Sequence, residues 1–107
     1  MGQVKLTVIY PWPRDIEAFE KQYNEVHVSM AVQRLSGKTK IVATKVLKSP
    51  QGARSIHRIA EIYFPSMAAL EACLSSPGGQ ETAAHAVSIS SGGSPSFLVA
   101  EEDVYTF

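Results

Sequence analysis

One cysteine, Cys73, stands in the whole sequence, so no disulfide can form within the chain and nothing ties it to an oxidising compartment. Neither sign of charge is in excess. Ten Lys and Arg balance ten Asp and Glu, whereas a nucleic-acid binder normally carries a basic surplus to neutralise phosphates. No apolar run approaches the roughly 20 residues of a membrane span. The segment Met1–Val8 lacks the length and pattern of a secretory signal, and Met1-Gly2 is followed by Thr7 one position too late for a myristoylation site. There is no Walker loop, dinucleotide fingerprint or Gly-x-Ser-x-Gly elbow. The three histidines have no short ligand spacing, which argues against a metal. His27 or His85 has the chemistry of a haem ligand, yet nothing singles haem out. These absences leave an expected cytoplasmic protein with no cofactor, no nucleic-acid partner and no membrane partner.

What is present is ordinary globular material. The 107 residues suit one domain spanning 1–107, and 45% apolar with 19% charged residues is enough to build a core. Cys73 sits in the run Ala69, Leu70, Ala72, Cys73, Leu74 and is expected in that core.

Val4 to Tyr10 alternates, with Val4, Leu6, Val8 and Tyr10 on one face and Lys5, Thr7 and Ile9 on the other. That is a strand, stopped by Pro11-Trp12-Pro13. Asp15 is a good N-cap for a helix to about Leu35, with Ile16, Phe19, Tyr23, Val26 and Met30 as its apolar stripe, Glu17, Glu20, Lys21, Gln22 and Glu25 towards solvent, and Gly37 as its stop. Lys38 to Leu47 is rich in β-branched residues and reads as a second strand, followed by the turn Ser49-Pro50-Gln51-Gly52. Ile56 to Phe64 is a third strand, with Ile56, Arg58, Ala60, Ile62 and Phe64 opposite His57, Ile59, Glu61 and Tyr63. Ser66 caps a helix striped by Met67, Leu70 and Leu74. Ser76-Pro77 starts a further short helix to about Val87, and Phe97 to Val104 is the fourth strand after a Gly/Ser loop.

Strand, helix, strand, strand, helix, strand with right-handed crossovers gives an α+β, ferredoxin-like β-α-β-β-α-β sandwich: a four-stranded antiparallel sheet with helices on one face. The other face would carry Ile9, Tyr63 and apolar residues of the second and fourth strands. An apolar face of that size is seldom left in water, and a two-fold copy laid against it is the simplest cover. A homodimer through the sheet face, a dimeric α/β barrel, is therefore expected.

Val4-Lys5-Leu6-Thr7-Val8-Ile9-Tyr10-Pro11, then Tyr23-Asn24-Glu25-Val26-His27, His57-Arg58-Ile59-Ala60-Glu61-Ile62-Tyr63-Phe64, Ser75-Ser76-Pro77-Gly78-Gly79-Gln80 and Ser91-Gly92-Gly93 follow one another in the order seen in the EthD family, named for ethyl tert-butyl ether degradation. The chain resembles that family, and through it the dimeric α/β-barrel superfamily, over nearly its whole length. The resemblance implies fold and dimerisation more than chemistry. The superfamily holds cofactor-free quinone-forming monooxygenases, polyketide cyclases, lactone isomerases and haem-handling enzymes, and fold does not carry function across such a group.

His27 is the foremost candidate for chemistry. It lies at the edge of the helical stripe, one turn after Tyr23, and can reach the space between the first helix and the sheet as a general acid or base. The plainer reading is a packed histidine bonded to a backbone carbonyl or a strand residue. The resemblance implies that the matching histidine sits at the family's internal cavity. Tyr10, on the inner face of the first strand, and Tyr23, four residues before His27, are the neighbours that can steer its proton; both are also ordinary core rings. His57 and Glu61 are roughly 13 Å apart along the strand and read as a polar lining of the dimer side. Trp12 in its proline-flanked loop, Tyr63 on the third strand and His85 on the last helix are the candidate substrate contacts, with His85 either closing the cavity or facing solvent. Three functions fit: a cofactor-free enzyme oxygenating, cyclising or isomerising an apolar aromatic or carbonyl compound with His27 as proton carrier; a non-catalytic binding or accessory protein of a degradation pathway; or a dimer with no pocket at all.

Overall fold

A computed structural model describes residues 3–53 and 55–107; the reading of Met1-Gly2 lies outside them. The elements are β1 (Gln3–Pro11), α1 (Ile16–Gln22), a π-helical segment (Tyr23–His27), α2 (Val28–Arg34), β2 (Lys40–Lys45), β3 (Ile56–Phe64), α3 (Met67–Ser75), α4 (Pro77–Ile89) and β4 (Ser96–Glu102). The four strands form one antiparallel sheet in the order β2-β3-β1-β4. This is the ferredoxin-like arrangement that the alternation of the strands implied. Among the described residues no helix is long and apolar enough to cross a membrane.

The expected caps form. The Ala18 amide donates to Asp15 Oδ1 (3.1 Å), the Ala69 amide to Ser66 Oγ (3.1 Å) and the Gly79 amide to Ser76 Oγ (3.0 Å), with Pro77 opening α4. Each is worth about 1 kcal/mol to its helix. Leu6, Val8 and Tyr10 of β1 and Ile62 and Phe64 of β3 pack beneath Phe19, Tyr23, Ala31, Leu35, Leu70, Cys73 and Ala86. Cys73 is a core residue. Two strands are shorter than their composition suggested, β2 by two residues at each end and β4 at its C-terminal end.

The first long helix departs from its expected course. Ile16 and Val26 are exposed, and the buried positions are Phe19, Tyr23, His27, Ala31 and Leu35, spaced uniformly by four. In an α-helix a four-residue step overshoots a full turn by about 40°, so such a row would wind away from the sheet. The π segment corrects this drift. The Val28 amide reaches back five residues to the Tyr23 carbonyl, the wider turn absorbs one residue, and His27 rather than Val26 faces the sheet.

A second one-residue slip lies in β3. Tyr10 pairs with Arg58 but Pro11 pairs with Ile56, which leaves His57 as the extra residue of a β-bulge. His57 is thereby turned to the helix side beside Arg58. The expected polar lining of His57 with Glu61 on the dimer side does not form.

The outer sheet face is less apolar than expected. Lys5 bonds Glu61 and Glu102 (2.9 Å to the latter), the Tyr63 hydroxyl donates to Glu102 at 2.5 Å, and Lys40 Nζ lies 4.2 Å from the centre of the Tyr63 ring. The Glu61 hydrogen bond above all holds the Lys5 ammonium pKa high, and the Tyr63 hydroxyl is the largest influence keeping that of Glu102 low. Half-buried Ile9, Ile59 and Val42 and exposed Leu98 surround this polar centre.

Candidate active site

Tyr10 ends the inner face of β1 with no surface exposed, under Phe19 and Tyr23, whose rings meet its own edge-on at centroid separations of 5.3 and 5.6 Å. His27 lies over the same spot. Its Nε2 is 3.2 Å from the Tyr10 hydroxyl and its Nδ1 is 2.9 Å from Nδ1 of His85 on α4. The two imidazoles are nearly coplanar (14°), with centroids 5.1 Å apart, so the hydrogen bond runs close to the ring planes as an N–H···N bond requires. Burial, followed by the proximity of His85, pulls the His27 pKa down to about 4, so this imidazole is neutral at physiological pH. Burial pushes the Tyr10 phenol well above its ordinary value. A buried hydroxyl left without a partner would cost about 1–3 kcal/mol, and His27 spares Tyr10 that.

His85 is half-buried and does more than face solvent. It lies on the wall of an open depression of about 300 Å³ between α1 and α4, which Asp15, Phe19, Gln22, Ser88 and Ser91 also line. The space between the first helix and the sheet, where a pocket was expected, is filled by Tyr10, Phe19, Tyr23 and His27. The opening linked to His27, through His85, is the groove between α1 and α4.

Of the six residues singled out in the sequence, the fold brings Tyr10, Tyr23, His27 and His85 together. Trp12 stands apart, its ring edge-on to His57 at 4.9 Å. Tyr63 is on the opposite face of the sheet, in the Lys5–Glu102 cluster.

A second cluster was missed in the sequence. Glu20, assigned there to solvent, takes a bidentate pair of hydrogen bonds from Arg58 (Nε 3.0 Å, Nη2 2.7 Å) and one from His57 Nε2 (3.0 Å), with Lys45 at 3.8 Å. Arg58, ahead of every other influence, holds the Glu20 carboxyl at about 2. The guanidinium lies 4.8 Å from the Tyr23 ring centre, a cation–π contact that fixes the ring stacked on His27. The signal was available. Arg58 alternates with Ala60, Ile62 and Phe64, and an arginine on a buried face requires an acid from the helix above.

The EthD domain model matches residues 14–88. The chain belongs to the EthD family. An uncharacterised 11.0 kDa protein of Rhodococcus erythropolis, from the thcB–thcC intergenic region, is 31% identical over 100 residues, covering 94% of this chain and 96% of that one. Among solved structures, an EthD family protein of Bacillus halodurans superposes with a TM-score of 0.86 at 23% identity, over 94% of this chain and 99% of that one. A dimeric ferredoxin-like protein of unknown function from Bacteroides fragilis gives 0.68 at 14% identity, over 95% and 98%. SnoaB, a cofactor-independent oxygenase of Streptomyces nogalater, gives 0.59 at 10% identity, over 100% and 97%. The EthD match takes in the π segment, the bulged strand β3 and the whole of α3. It stops one residue short of the end of α4, and β1 and β4 lie outside it.

Proposed function

We propose that this EthD protein is a cofactor-free, cytoplasmic small-molecule enzyme that promotes enolisation-type chemistry on an apolar aromatic or carbonyl compound, with His27 as its proton-handling group and Tyr10 and Tyr23 as its setting. The observation that carries the reading is the neutral His27 imidazole, bonded through one nitrogen to a buried phenol and through the other to a histidine at the mouth of a depression. Oxygenation, cyclisation and isomerisation of carbonyl compounds each have routes that start from an enol or enolate. A positioned imidazole speeds such proton transfers by about 10²–10⁴-fold. The cofactor-independent oxygenase among the structural neighbours supports the absence of a cofactor from this scheme.

Anthrone, a tricyclic ketone with an acidic methylene, provides the test. The protein is expected to accelerate exchange of the methylene protons in D₂O, followed by ¹H NMR, and His27→Ala to remove at least about 99% of that acceleration. His27→Gln, which puts a hydrogen-bonding amide in the same space, guards against a folding artefact. Full exchange in both variants overturns the proposal. A non-catalytic carrier is the second reading, favoured by the almost complete burial of Tyr10 and His27. It predicts anthrone binding with no acceleration.

The reading includes a homodimer through the outer sheet face. Half-buried Ile9, Ile59 and Val42 and exposed Leu98 support it, as does the dimeric state of the Bacteroides protein. Leu98→Asp places a charge on that face and is expected to halve the mass seen by sedimentation. A wild-type protein that sediments as a monomer would dispose of the dimer.

A further inference from the structure

Resting on that reading, we infer that His85 is the residue that touches substrate, and that it presents an Nε2–H donor into the depression between α1 and α4, where it takes the carbonyl oxygen of the bound compound. Among the described residues the Tyr10 hydroxyl meets one hydrogen-bond partner, His27 Nε2. With no other acceptor for its hydrogen, the hydroxyl donates, so Nε2 of His27 is the unprotonated nitrogen. A neutral imidazole then carries its hydrogen on Nδ1 and donates it to Nδ1 of His85. His85 Nδ1 must accept, and its own hydrogen is left on Nε2, the nitrogen not engaged with His27.

The line Tyr10–His27–His85 is thus polarised in one direction, from phenol to pocket. Reversing it would strand the Tyr10 hydroxyl hydrogen in a site with no surface. A neutral imidazole used as a donor polarises a carbonyl and stabilises the enolate oxygen that forms as solvent water in the open depression takes the proton from the neighbouring carbon. The substrate class follows. It presents an acceptor oxygen to His85 and an apolar body to Phe19 and Ile89 on the same walls. His27 handles the proton through His85, its Nδ1 hydrogen replacing the one that His85 shares with the carbonyl oxygen, and Tyr10 is the positioning residue behind it.

Two measurements on ¹⁵N-labelled protein at pH 8 test this. Long-range ¹H–¹⁵N correlations are expected to show His27 protonated on Nδ1 and His85 on Nε2. In Tyr10→Phe, which keeps the ring, His85 is expected to become a mixture of both tautomers, an effect that packing alone would not produce. His85 protonated on Nδ1 in the wild type, or an unchanged tautomer in Tyr10→Phe, overturns the polarity. Titration with anthraquinone-2-sulfonate, a soluble tricyclic diketone, is expected to move the His85 Nε2 resonances downfield together with the amides of Phe19 and Ile89. Correct tautomers without that shift would overturn the substrate placement. Loss of anthrone exchange with both NMR results intact would instead count against the enzymatic reading alone.

Discussion

Replacing Glu20 with Ala will lower the stability of the protein by about 3 kcal/mol, which for a chain of this size is roughly 15 °C in Tm. The size of the effect comes from what is left behind. Arg58 is buried, its bidentate partner would be gone, and His57 would lose its acceptor in the same step. An unpaired guanidinium against the aromatic core costs far more than a surface ion pair contributes. Urea denaturation followed by circular dichroism is the measurement. A change under about 1 kcal/mol would mean that water already shares the cluster. The pH dependence has a definite sign. The folded Glu20 pKa, about 2, lies below the ordinary 4.5, so its contribution is complete above pH 4.5 and is withdrawn as pH falls through 2. Glu20→Ala should flatten that part of the acid limb.

Gly92→Ala carries the second large effect. A methyl there would sit 1.8 Å from the Trp12 carbonyl oxygen and 2.7 Å from the Trp12 carbonyl carbon. Both obstacles are backbone, so no rotamer change relieves the contact and one loop must move. About 3 kcal/mol of destabilisation is expected. The Arg14 amide donates to Ser91 Oγ (3.0 Å), holding the same two loops together, and Ser91 lines the depression beside His85. Weakened ligand binding should therefore accompany the lost stability, read by titration below the melting range. A Tm within 2 °C of wild type (about 0.5 kcal/mol) would show that the loops separate freely.

The periodic parts of this fold were legible in the sequence. Val4, Leu6, Val8 and Tyr10 alternate without interruption, and Ser76-Pro77 marks the start of α4 to the residue. Tyr10 sits on a strand whose inner face could be counted, whereas His27 was placed only at the edge of the helical stripe, within reach of Tyr10. Two of the errors share one cause. At Tyr23–His27 and at His57 the chain holds one residue more than the regular repeat, and a period-based reading assigns the wrong face on one side of each insertion. Val26 was placed inside and His57 on the outer face for that reason. Contacts between elements distant in sequence, such as His27 with His85 58 positions away, leave no local pattern to read.

Length, in this helix, is forgiven at one place. The wide turn takes up one residue, so cutting one from Asn24–Val26 would restore ordinary winding and leave everything that follows in register with what precedes it. The imidazole, three positions after the Tyr23 ring instead of four, would still point down at the phenol. A kindred chain could therefore carry its histidine one column over and keep the tyrosine–histidine contact. Tallying residues between the ring that matches Tyr23 and the next histidine should sort such relatives better than matching letters.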